Sequence, residues 1–249
     1  MPRMYRFFTG ELKEPDLGEK EVVLSNRLES AVFDQLVKVL RVKPGDEVVL
    51  LTGKDGPPFF EFRFEVVSAN KREVGLIFRS RNENLNELSF GLELVLCLPN
   101  KPDKLAMILQ KAVELGVRRV VLLKSEFSQM KHDLRPDRLE KIMREAAEQS
   151  ERAVVPALEL KGSLVDYIAK AGNFLVAMER KDAELLPDVL QSISGDISIL
   201  IGPEGGFSAA EKEAINAAGL RCYSLGKRIL RMETAVILSL GMAAMLPAQ

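Results

Sequence analysis

The residues Ile197-Ser198-Ile199-Leu200-Ile201 form an apolar run of strand length that stops in Gly202-Pro203-Glu204-Gly205-Gly206-Phe207-Ser208. Ser208-Ala209-Ala210-Glu211 then has the hydroxyl-to-carboxylate spacing of a capping box, so a helix starts there. A glycine has no Cβ, and a ligand can lie directly against its backbone. In open sheets covered by helices, small molecules bind beyond the carboxyl ends of the strands. The order strand, glycine loop, helix therefore marks a ligand site.

Three more groups share that placement. Leu225-Gly226-Lys227-Arg228-Ile229-Leu230-Arg231-Met232-Glu233-Thr234-Ala235 also follows a strand and precedes a helix. Glu179 follows the strand-like run 173–178, and Asn100-Lys101-Pro102-Asp103-Lys104 follows the run 92–98. Taken singly, each is a tight turn or surface charge. Their common position at strand ends is what argues for one pocket.

The elements that must hold these groups fall into two parts. Runs 22–24, 47–51, 61–67 and 73–78 are strand-like, with turn chemistry at Lys43-Pro44-Gly45-Asp46 and Gly53-Lys54-Asp55-Gly56-Pro57-Pro58. With a short helix over 29–40 they predict a small β-barrel in 1–72. The polar stretch after it, within 73–87, reads as a linker. From 88 to 249 strands alternate with helices. Strand 92–98 leads to helix 103–115, capped by Asp103 and stopped by Gly116. Strand 120–123 leads to helix 136–150, which opens on Pro136. Strands 173–178, 197–201 and 221–225 and helices 208–218 and 232–246 complete a parallel α/β sheet.

Several classes are excluded. There is no Gly-x-Gly-x-x-Gly after a strand and no Walker A sequence, so dinucleotide and P-loop readings lack their phosphate cradles. His132 is the single histidine, which removes a histidine-based triad or multi-histidine metal centre; an exposed loop position is expected for it. Cys97 and Cys222 lie in apolar segments without ligand spacing and read as reduced core thiols. No run approaches the roughly 20 apolar residues of a membrane span, and the start reads as no signal peptide. A cytoplasmic protein without a metal is expected. The net charge of −1 points to no polyanion by itself, although 99–155 and 221–233 are locally basic.

Five ordered motifs carry a resemblance: 98–104, 110–117, Glu145-Ala146-Ala147-Glu148-Gln149-Ser150-Glu151-Arg152, the 201–208 loop and the 225–235 corner. With 2–8 and 39–46, they resemble the RsmE family of 16S ribosomal RNA uracil-N3 methyltransferases, in the SPOUT superfamily, over essentially the whole chain. The resemblance implies a PUA-like RNA-binding barrel and a C-terminal α/β domain with a deep trefoil knot, the knot and the cofactor site lying in 173–235. It implies S-adenosylmethionine as cofactor, a homodimer, and 16S rRNA of the small ribosomal subunit as partner. Carried onto this sequence, the cofactor residues are Met178, Ile201, Gly202, Pro203, Glu204, Gly205, Gly206, Leu225, Gly226, Ile229 and Leu230. Arg231 would stabilise charge on the target base, and Glu179 or Glu233 would accept its proton. Arg3, Arg6, Arg41, Lys101, Lys104 and Arg152 would contact phosphates. Phe33-Asp34-Gln35-Leu36 departs from the family, which often has a histidine there, as does Glu151 at a position where small residues are frequent. The alternatives are a ribose 2′-O-methyltransferase of the same superfamily and a non-catalytic RNA-binding assembly protein.

Overall fold

A computed structural model describes residues 3–53, 56–128, 134–169, 174–178 and 183–246. Glu179 and His132 lie outside the described residues. The protein divides into two compact units, one of residues 1–87 with 147–154, the other of 88–146 with 155–249.

The first unit contains β1 (Met4–Phe8), α1 (Glu14–Leu17), β2 (Glu21–Ser25), α2 (Ser30–Asp34), β3 (Glu47–Leu51), β4 (Phe60–Ala69) and β5 (Glu73–Glu83). Its five strands form one sheet in the order β1-β3-β4-β5-β2, antiparallel except for the β1–β3 pair. Among the described residues the edge strands β1 and β2 do not pair with each other, so the sheet is open where the sequence predicts a closed barrel. Phe33, Leu36, Leu50, Phe62, Phe64 and Leu76 fill its core. The expected helix over 29–40 is α2 followed by one π-helical stretch, Gln35–Leu40, that ends with Arg41 in the left-handed region at φ 52°.

The linker expected within 73–87 is corrected over 79–83: the strand read at 73–78 is present, and it runs on without a break to Glu83. Residues 73–83 are β5, paired with both β2 and β4. Arg79, Arg81 and Glu83 give this stretch a solvated look, but in a strand they form the outer face, and the Arg81 guanidinium lies 3.4 Å from the centre of the Phe60 ring.

Two residues expected on RNA are structural. Arg152 and Glu87, 4% and 5% exposed, form a bidentate pair whose shortest contact is 2.6 Å, and Glu87 Oε1 also accepts the N–H groups of Ala153 and Val154. Arg6, 8% exposed, lies 2.7 Å from Glu61 Oε2 and 3.6 Å from Glu151 Oε2. Both guanidinium groups are buried beside carboxylates, which presents neither of them to a phosphate at the surface.

The second unit holds β6 (Leu92–Cys97), α3 (Pro102–Glu114), β7 (Arg119–Lys124), α4 (Pro136–Gln149, its last turn in the first unit), β8 (Ala157–Ser163), α5 (Leu164–Ile168), β9 (Leu175–Ala177), α6 (Leu186–Gln191), β10 (Ile197–Ile201), α7 (Ala209–Ala217), β11 (Arg221–Tyr223) and α8 (Met232–Ala244). All five pairings of its sheet, in the order β11-β9-β10-β6-β7-β8, are parallel. This is the α/β sheet that the alternation of strands and helices predicts. Apart from Glu93 and Ser198, the central strands β6, β10 and β9 are apolar, as strands covered by helices on both faces are. β8, α5 and α6 have no counterpart in the sequence reading; β8 is an edge strand with a mostly exposed, polar sequence.

Helix ends follow the sequence closely. Val117 N–H bonds to Ala112 C=O around Gly116 at φ +86°, and Leu220 N–H to Ile215 C=O around Gly219 at φ +65°, the Schellman pattern. Asp103 is not the cap of α3; Lys101 occupies that position because Pro102, with its fixed φ, takes the first helical place. α4 ends in the same pattern, Arg152 N–H to Ala147 C=O, but the left-handed residue is Glu151 at φ 59°. Glu151→Gly is expected to raise stability by about 0.5–1 kcal/mol in denaturant titration, since its ion pair with Arg6 is long and its side chain 59% exposed. Loss of stability would show that this pair outweighs the backbone strain.

Candidate active site

The sheet order explains how separated loops meet. β11, β9, β10 and β6 are consecutive and parallel, so their carboxyl ends lie along one edge. A cavity of about 890 Å³ opens there. Met178 enters from the end of β9, its N–H donating to Tyr223 C=O on β11 at 2.9 Å. Ile201, Gly202, Pro203, Glu204 and Gly206 come from the loop after β10, and Leu225 through Arg231 from the loop after β11. Ten of the eleven cofactor residues expected from sequence therefore line one space.

Gly205 is the exception. It is absent from the lining, and a Cβ built on it would sit 3.1 Å from Phe127 Cβ. Its lack of a side chain serves packing. Gly202 faces a second tight approach: a Cβ there would lie 2.8 Å from Cζ of the buried Phe207 ring. Gly206, at φ +73°, closes a turn with its N–H on Pro203 C=O at 2.9 Å, and no other atom lies within 4 Å of the position a Cβ would take. The Ser208–Glu211 capping box is present as expected. Glu211 is 3% exposed, and it also accepts the Glu126 N–H at 2.9 Å, which ties the loop after β7 to the first turn of α7.

At the second corner Gly226 takes φ +104°, and the Ser224 hydroxyl accepts its N–H at 3.2 Å and donates to its C=O at 3.3 Å. Tyr223 reaches into the cavity wall while its hydroxyl bonds to Ser239 on α8 at 2.7 Å; burial pushes the phenol up, so it stays neutral. Sequence reasoning singles out neither Ser224 nor Tyr223. A signal exists in Ser239, a hydroxyl amid the apolar residues that follow the first turn of α8.

Arg231 is the N-cap residue of α8, exposed, and lines the cavity. Glu233, in the first turn of α8, does not line it. Its Oε2 is 3.5 Å from Lys104 Nζ, and that nitrogen is 2.7 Å from Glu204 Oε1. The Glu204 hydrogen bond, with the charge of Glu233 beside it, holds the Lys104 ammonium above its ordinary value against burial. Burial alone would push Glu204 up, but the Lys104 hydrogen bond, backbone N–H donors and the ammonium charge together hold its carboxyl below the usual range. Lys104 thus serves the cavity, while Arg3, Arg41 and Lys101 are exposed. Among the described residues no group of three His, Cys, Asp or Glu side chains is placed to hold a metal, and no helix is long and apolar enough to cross a membrane.

A family model described as an RNA methyltransferase domain matches residues 86–244. The ribosomal RNA small subunit methyltransferase E of Bacillus subtilis is 35% identical over 221 residues, covering 82% of this chain and 84% of the relative. Its namesake in Mesomycoplasma hyopneumoniae is 30% identical over 242 residues, covering 94% and 96%. Among solved structures, a ribosomal RNA small subunit methyltransferase E from Neisseria gonorrhoeae bound to S-adenosyl methionine is similar with a TM-score of 0.80 at 27% identity, covering 96% of this chain and 95% of that one. By a domain match over well more than half of its length and by identity of 30% or more to relatives it covers almost fully, the chain belongs to the RNA methyltransferase family, in the group of the small subunit methyltransferase E proteins.

Proposed function

We propose that this protein is an S-adenosylmethionine-dependent methyltransferase that modifies N3 of a uridine in the 16S rRNA of the small ribosomal subunit. The observation that carries this reading is the cavity at the ends of β9, β10 and β11 in a protein of this family. The residues fit the cofactor. Ile201, Leu225 and Leu230 offer apolar surface to an adenine, and Gly202 and Gly206 leave backbone groups uncovered for the polar parts. The volume is in the range of pockets that enclose ligands of this size. When bound, S-adenosylmethionine supplies an electrophilic methyl carbon on a sulfonium.

The protein must then hold a uracil in line with that carbon and manage charge. N3 carries a proton in the neutral base, and its loss spreads negative charge onto O2 and O4. Arg231 at the start of α8 stabilises that charge, assisted by the positive end of the helix. Of the two acids the sequence offers as proton acceptor, Glu233 is engaged with Lys104, which leaves Glu179 for the role. Because N3 lies on the Watson–Crick edge, the target uridine is unpaired or flipped out. Exposed Arg3, Arg41 and Lys101 contact phosphates.

The finer features implied by the family resemblance belong to the same reading: a PUA-like RNA-binding role for the first unit, a trefoil knot within 173–235, a homodimer and a cytoplasmic location. α8 supports the dimer, since a helix that is apolar nearly throughout keeps Ile237 exposed, with Met245 exposed at its C-cap.

Incubating the protein with S-adenosylmethionine and small subunits lacking the modification, followed by nucleoside mass spectrometry, is expected to give 3-methyluridine. A 2′-O-methylated nucleoside would replace the reaction with ribose methylation. Absence of methyl incorporation would leave an RNA-binding protein.

A further inference from the structure

Lys104 stands in the first turn of α3, yet its ammonium is held between two other elements. Glu204 belongs to the glycine loop after β10 and Glu233 to the first turn of α8, two residues beyond Arg231. Nζ lies 2.7 Å from Glu204 Oε1 and 3.5 Å from Glu233 Oε2. The three side chains are 21%, 26% and 17% exposed, so solvent screens them only in part. Glu204 Oε1 takes a further hydrogen bond from the Asn100 N–H, at 3.2 Å. Glu233 Oε2 has no solvent-exposed surface and no hydrogen-bond partner among the described residues, and so depends on the Lys104 charge.

We infer that Lys104 is a positioning residue for the methyl-donor pocket, tying the glycine loop to the start of α8 by sharing one positive charge between two carboxylates. The inference rests on the reading of the cavity as the S-adenosylmethionine site. Glu204 comes from one loop that walls the cavity and Glu233 from the helix into which the other loop leads, and both lie within 3.5 Å of one nitrogen. Without the ammonium, like charges at that spacing repel in a weakly screened setting and push the walls apart. Arg231 is attached to one of those walls, so the same tie also fixes where its guanidinium stands. The triad is net negative, which disfavours Lys104 as a phosphate contact and separates it from Arg3, Arg41 and Lys101.

The test measures binding of S-adenosylhomocysteine to the full-length protein by calorimetry, beside thermal melting. Lys104→Met is expected to weaken binding at least tenfold and Lys104→Arg less than about threefold. The charge-balanced K104M/E204Q protein should recover to within about fivefold of the unmodified one. That recovery is what a residue acting through its neighbours predicts; a lysine touching the ligand itself would leave the double variant as weak as the single one. Unchanged affinity in K104M overturns the inference, and so does a double variant that melts normally but binds as poorly as K104M. K104M/E204Q carries the comparison if K104M does not fold. Failure of the unmodified protein to bind S-adenosylhomocysteine overturns the site assignment and this inference with it, an outcome distinct from normal binding by all variants.

Discussion

Arg231→Ala is expected to slow methyl transfer by roughly 100- to 1,000-fold while S-adenosylhomocysteine affinity changes only a few-fold, the range seen when one preorganised charge-stabilising donor is removed. Arg231 precedes the first helical residue of α8 and lines the cavity, and its backbone C=O accepts the Ala235 N–H, a bond that alanine retains. The helix start therefore survives the substitution, and the loss falls on the step in which the base develops charge. Single-turnover methylation of small subunits at saturating cofactor measures it. A rate within threefold of the unmodified protein removes Arg231 from the mechanism. Arg231→Lys is expected to recover part of the rate, because a point charge replaces a planar fork.

Gly202→Ala is expected to lower stability by about 1–3 kcal/mol, the usual cost of overpacking a core, and to weaken S-adenosylhomocysteine binding at least tenfold. The added methyl would stand 2.8, 3.0 and 3.1 Å from Cζ, Cε1 and Cε2 of Phe207. That ring is 6% exposed and packs in the core with Cys97, Val176 and Leu200, so it cannot swing aside without disturbing the ends of β6, β9 and β10. Melting and calorimetry read the two effects. Phe207→Leu in the Gly202→Ala background is expected to restore much of the affinity, since a smaller side chain makes room for the methyl. If binding and melting are unchanged in the single variant, the loop adapts to the contact and its glycine is not needed for packing. Gly205→Ala is expected to be milder, because its nearest contact, Phe127 Cβ at 3.1 Å, needs to shift by only a few tenths of an ångström, whereas Gly202 meets Phe207 at 2.8 Å.

The site is legible in the sequence because its signals are local. A continuous apolar strand, a Gly/Pro loop and a capping box follow one another without interruption, and they predict β10, the turn and α7 with little help from distant residues. The second corner is readable for the same reason. The roles of charged residues are not, since a charge acquires its meaning from residues far away in sequence. Arg152 reads as a helix-end cation until Glu87, 65 positions away, closes on it, and Lys104 reads as a phosphate contact until Glu204, 100 positions away, takes up its ammonium. The second half of β5, from Arg79 to Glu83, resembles a linker in sequence because half-exposed strands carry polar residues wherever one face meets water. Gly205 shows the limit of motif reading, as two adjacent glycines in one loop answer to different constraints, one a neighbouring side chain and the other a positive φ.

The sheet order also governs when the site can come into being. β9 lies between β10 and β11, both of which come later in the sequence. During synthesis it therefore emerges with both edges unpaired and must wait for two more strands before its ladder is complete. Long-range parallel pairings of this kind form slowly, and unpaired edges are prone to aggregation while they wait. The loop after β11 and the start of α8 are the last walls of the cavity to arrive, so the ligand space is finished only after every strand of this sheet has been made. A ligand that binds there recognises completed molecules alone and draws the folding equilibrium toward them.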